Sequence, residues 1–194
     1  ATASTAADEL DHEVRHLRGL VLGASERPAI RSLLAEPRPS PADADAGAVL
    51  EEIRHGHPGV VATFVADAQG ELLRALPAGS ALSGLDISAG EWFRDVMVSA
   101  APTVSTTATL GDQAVIVVAA PVAVGNADPG TVAGVVGIAF ALDQLDAVVS
   151  RVGATHGVDT ILDRRDPGVR GDDEDVLVAD ALSRETGWTV RATM

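Results

Sequence analysis

The chain has 194 residues, no cysteine and a formal net charge of −14, with every basic residue an arginine. So acidic a surface excludes the basic track that nucleic-acid binding needs, and no nucleic-acid partner is expected. The length allows one large domain or two small ones, but aromatics are only 3% and tyrosine is absent, so Ala, Val and Leu must fill the core.

Absence of cysteine suits an oxidising exterior without disulfides and a reducing interior alike. No segment reaches the roughly 20 apolar residues of a membrane span. The longest apolar run, Ala114 to Val124, contains Pro121 and reads as a buried strand. The chain begins without Met, as an excised or processed fragment would.

Thr5-Ala6-Ala7-Asp8 has the form of a capping box. Leu10, Val14, Leu17, Val21 and Ala24 then repeat at spacings of four and three, giving a helix with one apolar seam. Pro28 is expected to kink it, with Ile30, Leu33 and Leu34 continuing the face to about Ala35. Pro37, Pro39 and Pro41 then form an extended linker. The seam serves a helix lying on its own domain, or one that also pairs with its copy in a homodimer.

Asp45 is expected to cap a second helix, with Val49, Leu50 and Ile53 inward, ending near Gly56. Val60 to Asp67 is a β-branched strand, Asp67-Ala68-Gln69-Gly70 is turn chemistry, and Glu71 to Leu76 returns as the hairpin partner. Gly79 to Gly84 is loop. Ser88-Ala89-Gly90-Glu91 resembles another capping box, opening a helix to about Ala100 in which Trp92, Val96 and Met97 share a face beside Phe93. Strands are expected over 103–109, 113–124 and 131–141, with 125–130 as a loop, and a helix over 142–152. From Gly153 the pattern changes: a strand over 158–163, a charged loop over 164–175, and a hairpin of 176–182 with 188–193 around Gly187. A helix over 175–185 is the alternative to the first of those strands. About forty residues bury little core alone, so this piece must lean on a neighbour.

Taken together, Asp67-Ala68-Gln69-Gly70, Trp92-Phe93, Ala120-Pro121-Val122, Gly134-Val135-Val136-Gly137, Leu142-Asp143-Gln144-Leu145 and Thr186-Gly187-Trp188-Thr189-Val190 resemble, in this order, the double CACHE family. These are extracytoplasmic sensor regions of bacterial chemoreceptors, histidine kinases and cyclases. The resemblance covers nearly the whole chain. It implies an α+β fold with a long N-terminal helix (1–36), a membrane-distal PAS-like antiparallel sheet module (45–152) and an abbreviated membrane-proximal α/β piece (153–194). It also implies a ligand held between the helix and sheet of the distal module.

The family's amino-acid binders carry an Arg two residues before the Trp, a Tyr on the following strand and an Asp on the last strand. The corresponding places here hold Gly90, a strand with Ser105, Thr106, Thr107 and Thr109, and Ala139. With those anchors missing, the expected ligand is not a typical α-amino acid. It is small and largely neutral, or a monoanion. The candidate contacts are Trp92 and Phe93 as an apolar wall, the hydroxyls of Ser105 and Thr107, the Ala139 position on the last strand, and Arg74 as a charged contact. Two aromatics on a helix over a sheet serve equally as plain core.

His12-Glu13-Val14-Arg15-His16 is a literal zinc-protease pattern, with two His at i and i+4 and a Glu between. Its longer form fails at the third ligand, where Leu22 stands, and the helix precedes any strand that could build a cleft. These side chains read as a solvated helix face. His55-Gly56-His57 suits a helix C-terminus, and Asp172-Asp173-Glu174-Asp175 lacks the alternating spacing of a calcium loop. No catalytic residue, metal or cofactor is expected.

The expectation is therefore the extracytoplasmic small-molecule-sensing region of a bacterial membrane-tethered signalling protein, non-catalytic, with its first helix (near Ala6) and last strand (near Met194) at one end. The rivals are a ligand-free CACHE-like dimerisation module and, behind it, a zinc-dependent hydrolase.

Overall fold

The computed structural model describes residues 2–35, 42–80, 82, 87–105, 108–123, 131–163 and 177–193. In chain order its elements are α1 (Thr2–Ser25), α2 (Pro28–Ala35), α3 (Ala42–Gly56), β1 (Val60–Asp67), β2 (Leu72–Leu76), α4 (Glu91–Ser99), β3 (Thr103–Val104), β4 (Ala108–Leu110), β5 (Gln113–Val122), β6 (Gly134–Ala141), α5 (Leu142–Thr155), β7 (Asp159–Asp163), β8 (Leu177–Leu182) and β9 (Thr189–Thr193). The chain forms two compact units. One is Leu17–Ala141; the other joins the residues up to His16 with those from Leu142 onward.

The apolar seam of α1 is buried as the spacing predicts: Leu10, Val14, Leu17 and Val21 are all at 0% exposure. Pro28 does more than kink this helix. It is the first residue of α2, a position where the missing amide hydrogen costs nothing. Two of the residues expected to cap lie within helices, Thr5 in α1 and Asp45 in α3. In front of α4 the N-cap is Gly90, with no side-chain hydrogen bond, because Ser88 is part of a short 3-10 turn, Ile87–Ala89.

In the larger unit an antiparallel sheet runs in the order β2-β1-β6-β5-β3, with β4 also on β5. The Asp67 turn forms as its residues require. The Asp67 carboxylate accepts the amides of Gln69 and Glu71, each at 2.9 Å, and Gly70 takes φ +83, which a residue without Cβ adopts freely. Within the expected strand over 103–109 the described residues form β3 and β4. Thr106 and Thr107 lie outside the described residues, as do the proline linker and the 125–130 loop.

Alternation along the strands sorts the side chains into two layers. Ala62, Phe64 and Ala66 of β1, Val115, Val117 and Ala119 of β5, and Val135 and Ala139 of β6 form one core with Trp92, Phe93 and Val96 of α4. The other face carries Thr63, Val65, Ile116, Val118, Ala120, Val136 and Ile138, all buried. It takes α3 through a bond from Thr63 Oγ1 to the Leu50 carbonyl at 3.3 Å.

The second unit holds a three-stranded sheet in the order β7-β9-β8, so residues 177–182 are a strand and not the alternative helix. The Thr160 hydroxyl on β7 donates to the Val149 carbonyl on α5 at 2.8 Å. That bond, and the packing of α5 on β7, place α5 with this sheet, where the sequence pattern groups 142–152 with the preceding module. The first turns of α1 and the last strand belong to this same unit; Met194 lies outside the described residues.

Candidate functional site

The sheet face beneath α4 is lined with small residues, and aromatic side chains of α4 pack onto it. Trp92 and Phe93 start the helix and point down onto it, 9% and 5% exposed. Trp92 meets Phe64 edge-on, ring centroids 5.9 Å apart, and Phe93 at 6.0 Å, the geometry aromatic quadrupoles favour. Two glycines make room. A Cβ on Gly137 would lie 2.4 Å from the Phe64 ring, and one on Gly90 would lie 2.7 Å from Trp92 Nε1. Gly134, at the start of β6, also serves close packing, against the Ala66 carbonyl and Leu34.

Ser105 is 8% exposed. Its amide donates to the Val117 carbonyl at 2.7 Å, and its Oγ accepts the Val117 amide at 2.8 Å. The hydroxyl therefore serves the sheet ladder, where the strand pattern offered it to a ligand. Ala139 is fully buried in the same core, pairing with Ala62 on one side and Val117 on the other. Thr107 lies outside the described residues.

Arg74 is elsewhere. It pairs with Val65 across the β1–β2 ladder, and cross-strand partners share a face. That face is the α3 side, opposite Trp92 and Phe93. The structure thus brings Trp92, Phe93 and Ala139 together, with Ser105 at the adjacent strand, and leaves Arg74 apart from them. The register that decides this includes an irregularity between Val65 and Ala66, which no residue pattern announced. Beside Arg74, the Arg54 guanidinium holds the Glu51 carboxylate at 2.7 and 3.1 Å. That hydrogen bond lowers the Glu51 pKa and raises that of Arg54.

His12 and His16 stand on the exposed face of α1. Among the described residues no group of three His, Cys, Asp or Glu is placed to hold a metal. His55 occupies the last turn of α3, its Nδ1 3.2 Å from the Glu51 carbonyl. The acidic run 172–175 lies outside the described residues.

The same architecture occurs in solved structures. The ligand-binding domain of the Pseudomonas aeruginosa PAO1 chemoreceptor PctC, in complex with GABA, matches with TM-score 0.67 at 14% identity over 98% of this chain and 95% of that one. The fold is that of a bacterial chemoreceptor ligand-binding domain. The corresponding domain of Pseudomonas fluorescens CtaA, in complex with L-isoleucine, matches with TM-score 0.67 at 17% identity, over 98% of this chain and 87% of that one. An extracellular ligand-binding receptor from Desulfohalobium retbaense matches with TM-score 0.72 at 18% identity, over 97% of this chain and 38% of that one. No protein-family model and no curated protein sequence matches the chain.

Within this chemoreceptor-domain fold, the three positions expected to lack polar anchors remain apolar or self-satisfied. Gly90 lies under the Trp92 indole, Ser105 is in the ladder, and Ala139 is in the core. No helix among the described residues is long and apolar enough to cross a membrane.

Proposed function

We propose that this chain is the extracytoplasmic small-molecule-sensing region of a bacterial transmembrane signalling protein, itself non-catalytic. The observation that carries the reading is the fold match, which runs over nearly the full length of both chains. The placement of the first turns of α1 and of β9 in one unit also suits a domain tethered at both ends. Signalling would then be a population shift between two arrangements of helix and sheet, biased by ligand.

The neighbouring domains in complex with GABA and with L-isoleucine speak for an amino-acid ligand, against the expectation from the sequence; the missing anchors alone support a ligand of the α4 face that is small and largely uncharged. A zwitterion placed there finds neither a cation at Gly90 nor an anion at Ala139, and Arg74 is on the far side of the sheet. An unpaired buried charge costs several kcal/mol, about the difference between a micromolar ligand and none. A thermal-shift screen of small metabolites on the full chain, followed by calorimetry across the twenty amino acids, tests both parts. A neutral metabolite should raise the melting temperature, since it binds only the folded state. Micromolar binding of several amino acids would sink the ligand class.

A second reading is favoured by one observation: Trp92, Phe93 and Phe64 pack edge-on against one another between α4 and the sheet. On that reading the region is a ligand-free dimerisation module. Silence across the screen together with a concentration-dependent dimer in sedimentation would select it.

A further inference from the structure

We propose that the groove between α3 and β2 is a separate binding site for a small monocarboxylate, with Arg74 as its anchor. Arg74 rises from β2 and lays its guanidinium on α3 where Gly47 has no side chain. A Cβ there would sit 3.0 Å from Nη2 and 3.4 Å from Nε. The head group therefore lies against the helix beside Gly47. In a chain with 28 acidic residues against 14 arginines, no carboxylate among the described residues pairs with it. Its neighbour Arg54 differs, being held bidentately by Glu51.

The groove around this cation has a volume of about 530 Å³, and Ala48, Leu76 and Pro77 give it an apolar wall. A planar fork recognises a carboxylate by two parallel hydrogen bonds, and the wall takes a short hydrocarbon tail. The occupant carries one negative charge. Glu51, kept ionised by Arg54, lies in the same groove and repels a second. This site lies on the opposite sheet face from Trp92, so it stands or falls independently of the sensing function proposed above.

The test is calorimetry and side-chain NMR on the full 194-residue chain, in carboxylate-free buffer, with butyrate, benzoate, succinate and the neutral isostere butyramide. Butyrate and benzoate should bind in the millimolar range and shift the Arg74 Nε resonance. Succinate should bind no tighter than butyrate, and butyramide at least tenfold more weakly. Arg74→Ala, at an exposed position, should keep the fold and weaken carboxylate binding at least tenfold, while Arg74→Lys restores part of it. Gly47→Val should block the groove with Arg74 still present. No carboxylate binding to the parent chain would overturn the proposal, as would equal binding by Arg74→Ala or equal binding of butyramide. Loss of binding by a neutral ligand on the α4 face, with butyrate unaffected, would count against the sensing function alone.

Discussion

Asp11 on α1 and Ser183 at the end of β8 meet across 172 positions of sequence, the Ser183 hydroxyl donating to Asp11 Oδ1 at 2.6 Å. The amides of Arg184 and Glu185 donate to the same carboxylate, each at 3.2 Å. Ser183 Oγ in turn accepts the Thr186 hydroxyl at 2.8 Å. Asp11 is 7% exposed and Ser183 0%. A buried carboxylate thus ties the first helix to the turn before the last strand.

Removing that carboxylate leaves buried donors unpaired, which costs about 1–3 kcal/mol. Asp11→Ala should lose that much in urea unfolding. Asp11→Asn should recover little, because its amide turns donors towards donors. The Asp11–Ser183 double-mutant cycle should show coupling of about 0.5–3 kcal/mol. A loss under about 0.5 kcal/mol for Asp11→Ala would mean that the tie carries no stability.

Gly137 and Phe64 make a second testable pair. Gly137→Ala drives a Cβ into the Phe64 ring, and overpacking of this kind costs about 1–3 kcal/mol. Shortening the ring by Phe64→Leu should recover part of the loss. If Gly137→Ala melts at the parent temperature, the ring has another place to go and the close approach is not a constraint.

Trp92 is buried in the core beneath α4. Trp92→Ala should destabilise by about 3–5 kcal/mol, the range for a large aromatic cut from a core, as read by chemical denaturation. The cavity should be dry and apolar, and added indole should restore part of the melting temperature. A variant as stable as the parent would place Trp92 on a surface rather than in a core.

His12 and His16 sit one turn apart on an exposed helix face, a geometry that supplies two zinc ligands where a structural or catalytic site needs three or four from the protein. Elemental analysis should find less than stoichiometric zinc after dialysis. One tightly held zinc per chain, lost in His16→Ala, would reverse the reading.

Much of this molecule is written in local pattern. The α1 seam, the Val60–Asp67 strand, the Asp67 turn and the β5 and β6 strands are legible because burial on one face imposes a period of 3.6 or 2 on nearby residues. The set of short motifs in order also carries the chemoreceptor-domain fold. Other features depend on residues that only the folded chain brings together. The cap of α4 at Gly90 and not at Ser88 escapes the capping rule because a cap is a preference of about one kcal/mol, smaller than the burial of one apolar side chain. Ser105 is assigned to a ligand by composition and to the ladder by its distance from Val117. Arg74 is set on the α3 side by strand register, and a shift of one residue would have put it beside Trp92. Gly47 and Gly90 hold space for side chains from another strand or from their own helix, and the Asp11 tie spans most of the chain. Such relationships arise from packing between distant segments, and no local period encodes them.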